Sequence, residues 1–263
     1  MTPAHPPAAG TQDAPAIEVT NLTMMYDTLV VMQNLSFSVT RGEVFVIMGG
    51  SGSGKSTLLK HLIGLKQPAK GLIRFEGEDF AGADATARKG VLRRMGVLYQ
   101  GGALWSGLTL AENVALPLEE FTNLAPGAIA DVVAIKLALV GLRGFEGFYP
   151  AAISGGMRKR AALARAIALD PDVLFFDEPS SGLDPVSASR LDDLILALNA
   201  SFGTTIVVVS HDLASIFRIA DRALFLDIEA KTITALGSPA ELRDNPPSAE
   251  VHQFLTRNSE GVP

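Results

Sequence analysis

Glu43-Val44-Phe45-Val46-Ile47-Met48-Gly49-Gly50-Ser51-Gly52-Ser53-Gly54-Lys55-Ser56-Thr57-Leu58-Leu59 is the stretch on which the fold turns. A continuous apolar run enters a glycine-rich turn and passes directly into a helical pattern, Lys55–Leu65. A strand that is apolar on both faces belongs inside a parallel sheet. The turn fits G-x-x-x-x-G-K-[ST] in the strand-to-helix setting that this phosphate-binding motif requires. Its glycines let successive backbone N–H groups converge on phosphate oxygens, and the helix N-terminus adds a favourable dipole. Lys55 places a point charge on the β- and γ-phosphates, and the Ser56 hydroxyl can ligate Mg²⁺. Gly49, Gly50, Ser51, Gly52, Ser53, Gly54, Lys55, Ser56 and Thr57 are therefore the candidate nucleotide contacts. A merely flexible Gly/Ser turn is the plain alternative, and it does not account for the strand before and the helix after.

A second buried-type strand, Val173-Leu174-Phe175-Phe176, ends in Asp177-Glu178. Ligands of open α/β sheets bind at the C-terminal ends of strands. There Asp177 can hold Mg²⁺ and Glu178 can orient or polarise the attacking water. Gln100 and His211 also follow strands, Gly96–Tyr99 and Thr204–Ser210. Gln100 can sense Mg²⁺ or water, and His211 can hydrogen-bond a γ-phosphate. Ile153-Ser154-Gly155-Gly156-Met157 opens a helix expected over Gly155–Leu169. Read plainly, Ser154 is an N-cap and Arg158, Lys159 and Arg160 solvate the helix. Read functionally, Ser154, Gly155 and Gly156 form a second phosphate-facing helix N-terminus. One phosphate loop already serves one nucleotide, so this second site points to a nucleotide on another molecule, in a head-to-tail dimer. Asp184 either bridges subunits or caps the helix from Val186. Tyr26 offers an aromatic face to adenine or is an ordinary strand aromatic.

The surrounding chain reads as α/β. Strands are expected at Ile17–Leu22, Leu29–Val39, Gly71–Glu76, Ala223–Asp227 and Lys231–Leu236, the last an edge strand, followed by one or two terminal helices. Helical patterns dominate about 101–165 (Leu110–Leu116, Ala125–Val140 and the helix after Ser154), which reads as a subdomain inserted in the α/β core. Beyond it, strands alternate with the helices Val186–Asn199 and Leu213–Ala220, implying parallel βαβ units. The Pro- and Ala-rich segment 1–15 lacks the basic and apolar regions of a signal peptide and reads as a disordered tail, as does 258–263. The chain of 263 residues has 48% hydrophobic residues and no run of ~18 apolar residues to span a bilayer. It has no cysteine, which excludes disulfides and thiolate metal sites. A net charge of −6 argues against nucleic acid as the main partner.

The ordered set (phosphate loop, Gln100, Ser-Gly-Gly, Asp177-Glu178, Asp184, His211) resembles the nucleotide-binding domain of ABC transporters over roughly 17–257. The resemblance implies a P-loop NTPase core with a mostly parallel sheet, an N-terminal antiparallel β subdomain and the helical insert, as one domain over 16–257. It implies ATP hydrolysis with Mg²⁺, Tyr26 stacking on adenine, Glu178 as catalytic glutamate and His211 as switch histidine. It also implies a homodimer sandwiching two nucleotides, each reached by the neighbour's Ser154, Gly155 and Gly156. Met157 departs from the more usual glutamine, and Gly182 from alanine. A narrower resemblance, to the ATPases of Mla/MCE phospholipid transport, is carried by Tyr99-Gln100-Gly101-Gly102-Ala103-Leu104-Trp105, Glu112-Asn113-Val114-Ala115, Pro117 and 155–168. It implies a peripheral place on the cytoplasmic face of a Gram-negative inner membrane. The implied partners are an integral permease and a periplasmic MCE protein; separately, the segment 237–263 is a place where a small accessory subunit can bind, although no motif marks it. The loop Ala103–Trp105 is either a docking point for the permease or buried within the subdomain. An ABC ATPase for another cargo, and a regulatory module that binds ATP without turning it over, are the competing readings.

Overall fold

The computed structural model describes residues 14–256. The tails expected at 1–15 and 258–263 lie outside the described residues except for Ala14 and Pro15, and there the Ala14 carbonyl accepts a hydrogen bond from Arg41 Nε at 3.3 Å. In chain order the elements are β1 (Ile17–Tyr26), β2 (Leu29–Val39), β3 (Val44–Gly49), α1 (Lys55–Leu62), β4 (Lys70–Phe75), β5 (Glu78–Asp79), α2 (Ala85–Arg93) and β6 (Met95–Leu98). Three helices follow, α3 (Leu110–Phe121), α4 (Pro126–Leu139) and α5 (Gly155–Ala166), with a 3-10 turn at Pro150–Ala152. Then come β7 (Val173–Asp177), α6 (Pro185–Phe202), β8 (Thr205–Val209), α7 (Leu213–Ile219), β9 (Arg222–Asp227), β10 (Thr232–Gly237), α8 (Pro239–Asp244) and α9 (Ala249–Thr256).

Two sheets result. The larger has the order β10-β9-β3-β8-β7-β6, parallel except for β10, which pairs antiparallel at the edge. The smaller is antiparallel, with the order β2-β1-β4-β5. Every residue of β3 is buried, and its side chains alternate between two cores. Phe45 and Ile47 join the core that holds α1 and the small sheet, while Val44, Val46 and Met48 join the core of α3 to α7. That double burial is the physical reason for the unbroken apolar run at 44–48. It anchors the phosphate loop to a strand buried on both faces.

Several elements differ in extent from the sequence expectation. α1 stops at Leu62, because Gly64 adopts φ 73° and donates its N–H to the His61 carbonyl, ending the helix before Pro68 is reached. α5 ends at Ala166, where Ala168 and Asp170 turn back with short-range bonds to Arg165 and Ile167. α3 runs on through Pro117 to Phe121. Its start is secured by Thr109, whose hydroxyl accepts from Glu112 N while the Glu112 carboxylate accepts from Thr109 N, a capping box. That hydrogen bonding holds the Glu112 carboxyl below the usual range. β5 and α2 are additions that the hydrophobic pattern did not announce.

Candidate functional site

The phosphate loop joins β3 to α1 in left-handed steps. Gly49 has φ 149°, and a Cβ there would meet the Leu226 carbonyl oxygen at 2.6 Å and Ser53 Oγ at 2.7 Å. Only glycine fits. Gly54, at φ 83°, precedes the first turn of α1, and no side chain caps that helix start, so its N–H groups face the loop's interior. Lys55 is buried and donates from Nζ to the Gly49 and Gly50 carbonyls at 2.9 and 2.8 Å, folding its charge over the loop. His61, one turn after Thr57, is buried with Nδ1 2.8 Å from the Thr57 carbonyl; burial depresses its pKa.

Around this loop a cleft of about 580 Å³ gathers residues from distant parts of the chain: Tyr26, Val31, Gln100, Glu178 and His211, together with Gly49 and Ser51 to Thr57. Asp177, at the end of β7, accepts from Ser56 Oγ with its Oδ1 at 3.4 Å. Burial lifts the Asp177 carboxyl above its ordinary range, against the pull of its Ser56 hydrogen bond and with some help from the Glu178 charge. Glu178 is buried at the end of β7 with φ 49°, a left-handed backbone that costs a non-glycine residue about 1–2 kcal/mol. His211 Nδ1 lies 2.8 Å from both of its carboxylate oxygens but is aligned to hydrogen-bond only Oε1, and Oε2 has no hydrogen-bond partner among the described residues. A buried carboxylate oxygen without a donor is costly, unless a water or ligand supplies one. Gln100 Nε2 donates to Ser181 Oγ at 3.2 Å. Tyr26 is 44% exposed, with Lys66 Nζ 3.0 Å from its ring centroid. A hydrogen bond with the Thr57 side chain draws its hydroxyl below the usual range.

Ser154, Gly155 and Gly156 are not part of that cleft. Ser154 and Gly155 are exposed at the start of α5, and Ser154 and Gly156 line a separate cleft of about 490 Å³ with Lys159, Leu183 and Arg190. Ser154 Oγ accepts from Met157 N at 3.2 Å, so it caps its own helix. Met157 packs its side chain against the larger core. Asp184 caps α6, accepting from Val186 N, Ser187 N and Ser187 Oγ at 3.1, 3.0 and 2.6 Å, which holds its carboxyl below the usual range.

The basic run after the glycines does more than solvate the helix. Arg158 Nη1 donates to the Ile153 carbonyl and Arg160 Nη1 to those of Val140 and Gly141. Lys159 is buried, and its Nζ donates to the carbonyls of Glu178, Pro179 and Ser181. Arg165 reaches the carbonyls of Gly102 and Ala103, just after Gln100, at 2.9 and 2.8 Å. Asn113, fully buried on the apolar stripe of α3, accepts from Trp105 N and donates to the carbonyls of Trp105, Leu108 and Thr109. It holds a loop whose Trp105 is 66% exposed, so the ring is not buried within the subdomain. An asparagine in register with Leu110, Val114 and Leu118 was the signal available for this, since a buried amide must find partners.

A family model described as ABC transporter matches residues 32–181. The chain is 42% identical over 245 residues to the intermembrane phospholipid transport system ATP-binding protein MlaF of Haemophilus influenzae, covering 93% of this chain and 92% of that one. It is 44% identical to MlaF of Escherichia coli K12 over 231 residues, 88% and 85% of the two chains. It is 44% identical to the probable ribonucleotide transport ATP-binding protein mkl of Mycobacterium tuberculosis over 210 residues, 79% of this chain and 58% of that one. Among solved structures it resembles the dimeric bacterial ABC transporter cassette MJ0796, with TM-score 0.78 and 28% identity over 84% of this chain and 98% of that one. The same cassette in a post-hydrolysis state bound to ADP and Pi gives TM-score 0.77 at 27% identity, with the same coverage. The motifs, the fold and these likenesses together place the chain in the ABC transporter family, as its ATPase subunit.

Proposed function

We propose that two copies of this chain close head to tail over two ATP molecules and that the closure drives a phospholipid permease. The observation that carries the reading is Glu178. Its carboxylate is fixed by His211 above the phosphate loop, with Oε2 lacking a donor among the described residues. A water there attacks the γ-phosphorus, the bond to the β-phosphate oxygen breaks, and Glu178 orients the water and draws its proton. ADP and phosphate leave. Lys55 and the loop N–H groups hold the charge that develops on the phosphates. With Lys66 on one face of Tyr26, adenine takes the other. Gln100 faces the reacting end of the nucleotide.

Ser56 and Asp177 have the right chemistry for Mg²⁺, a hydroxyl and one carboxylate brought together, with Gln100 beside them. No cluster of three or more acidic or histidine side chains suited to an all-protein metal cage exists among the described residues. Bound there, Mg²⁺ supplies charge neutralisation at the phosphates. The exposed start of α5 supports the dimer, because within one chain it faces no part of the nucleotide cleft. Asp184, at the same surface, is where the two copies bridge.

The domain runs over 16–257, with α3 to α5 as a subdomain at about 101–165. No helix of the described chain is long and apolar enough to cross a membrane. In this reading, which the likeness to MlaF supports, the subunit works from the cytoplasmic face of an inner membrane through a permease docked at Trp105, the permease in turn serving a periplasmic MCE-type protein. Phospholipid is favoured as cargo by the match to MlaF over about nine-tenths of both chains. Ribonucleotide transport is the second reading, named by the mkl likeness. Purification with the native permease tests both. Phospholipid carried with the complex, and lipid movement in proteoliposomes that stops without ATP, are expected. Ribonucleotide uptake without lipid movement would replace phospholipid by the second reading.

A further inference from the structure

Lys159 sits in the second turn of α5, yet its side chain leaves the helix and ends among three backbone carbonyls of the turn after β7, those of Glu178, Pro179 and Ser181. A lysine ammonium has three N–H donors and no acceptor. Here all three find carbonyls, in a site from which water is nearly excluded. Placing a charge there is expensive unless it is fully hydrogen-bonded, so the arrangement demands a reason stronger than helix solvation.

The turn it grips is strained. Glu178 has φ 49° and Gly182 φ 73°, both left-handed, and only the second is a glycine. The turn's own backbone bonds are Glu178 N to Val209 O at 2.9 Å, Ser181 N to Glu178 O at 3.2 Å and Leu183 N to Ser180 O at 3.0 Å. Gln100 holds Ser181 through its hydroxyl from the far side. We propose that Lys159 is a positioning residue, whose ammonium pins the strained backbone of Glu178 so that the carboxylate stays aimed over the phosphate loop. It acts through Glu178 and touches no nucleotide. The proposal rests on the reading of Glu178 as the group that orients the attacking water.

The test compares Lys159→Met, Lys159→Arg and Glu178→Gln by three quantities: Kd for a fluorescent ATP analogue, kcat for phosphate release, and melting temperature. Lys159→Met keeps the aliphatic stem and removes the donors. Expected are a 10- to 100-fold fall in kcat, a Kd within twofold of wild type, and recovery to within about threefold in Lys159→Arg, whose guanidinium can donate to the same carbonyls. If Lys159→Met does not fold, Lys159→Gln is read by the same criteria. A kcat within twofold of wild type overturns the proposal. So does a fall in kcat matched by an equal loss of nucleotide binding without recovery in Lys159→Arg, which marks a merely structural role. The Glu178→Gln arm separates the two failures. Normal turnover in that variant overturns the assignment of Glu178 and this proposal with it, whereas an inactive Glu178→Gln beside an unimpaired Lys159→Met sinks the proposal alone.

Discussion

The starts of α1 and α5 are both helix N-termini assembled from glycine and serine, and they are finished in opposite ways. At α1 the helix has no side-chain cap, a buried lysine folds over the loop, and residues from four other parts of the chain converge. At α5 the serine caps its own helix and the glycines face outward, while the basic residues behind them are spent inside the chain on carbonyls. The first is a cleft lined from several parts of one chain. The second is a surface prepared for something that the chain does not itself provide. This difference, more than any single motif, is what argues for two copies acting together.

The largest effect is expected where the first terminus meets its base. Glu178→Gln should cut phosphate release by at least about 100-fold while leaving ATP binding in place, so that the ATP-bound dimer accumulates in size-exclusion chromatography. An active variant would strip the α1 site of its chemistry and leave only a binding loop. Gly155→Asp tests the other terminus. A carboxylate in the first turn suits the helix dipole, so the isolated subunit should keep its melting temperature or gain slightly. Facing a phosphate, the same charge repels. ATP binding at the loop should stay within about threefold, whereas ATP-driven dimerisation and turnover should fall by at least about tenfold. Equal losses at both steps would erase the distinction between the two helix starts.

Much of this contrast can be read from the residues alone, for a physical reason. The left-handed backbone at Gly49 and Gly54 belongs to the phosphate-loop pattern, and the burial of β3 shows in its unbroken apolar run, so both are legible within a few residues, although the Leu226 carbonyl that also crowds Gly49 is distant in sequence. The same holds for Asp177-Glu178 at the end of an apolar strand. What was hidden depends on distance. The destination of the Lys159 ammonium lies about 20 residues downstream, and that of Arg165 more than 60 upstream. A basic run after a helix start looks the same whether it meets water or carbonyls. α2 was missed because a short polar helix with a single fully buried residue, Val91, carries little periodicity, although Asp84 caps it by accepting from Thr86 N and Ala87 N. Met157, a departure from the usual signature, turns out to serve the core. The change of Gly182 from the usual alanine permits the left-handed turn there without strain.

A middle-sized effect is expected at Trp105. If its exposed ring docks the permease, Trp105→Ala should weaken co-purification with the membrane partner by about tenfold and leave ATP binding by the free subunit unchanged. Undiminished co-purification would move the docking point elsewhere. Asn113→Ala, which frees the same loop from beneath, should give a similar loss of docking. It should also lower stability by about 1–3 kcal/mol, since it leaves the loop's carbonyls without donors. Denaturant titration separates that stability loss from the docking defect.

The smallest effect returns to α1. Its start already faces a carboxylate of the chain, Asp177, and burial has raised that group's pKa above the ordinary 3.8. Among the described residues, the first turn of α5 contains no acidic residue and its N-cap is Ser154. A carboxyl whose folded pKa is raised binds its proton more tightly in the native state than in the unfolded chain. Its contribution to stability is therefore fully present below about 3.8 and is lost as pH rises through the raised value. Without nucleotide and with divalent metal chelated, wild type and Asp177→Asn should melt together at low pH. As pH increases the variant should become the more stable, by about 2 °C at neutral pH, even though it no longer hydrolyses ATP. A gap that stays constant with pH would mean that Asp177 carries no burial penalty. It would then be the Ser56 contact, and not charge held ready for a cation, that sets this terminus apart.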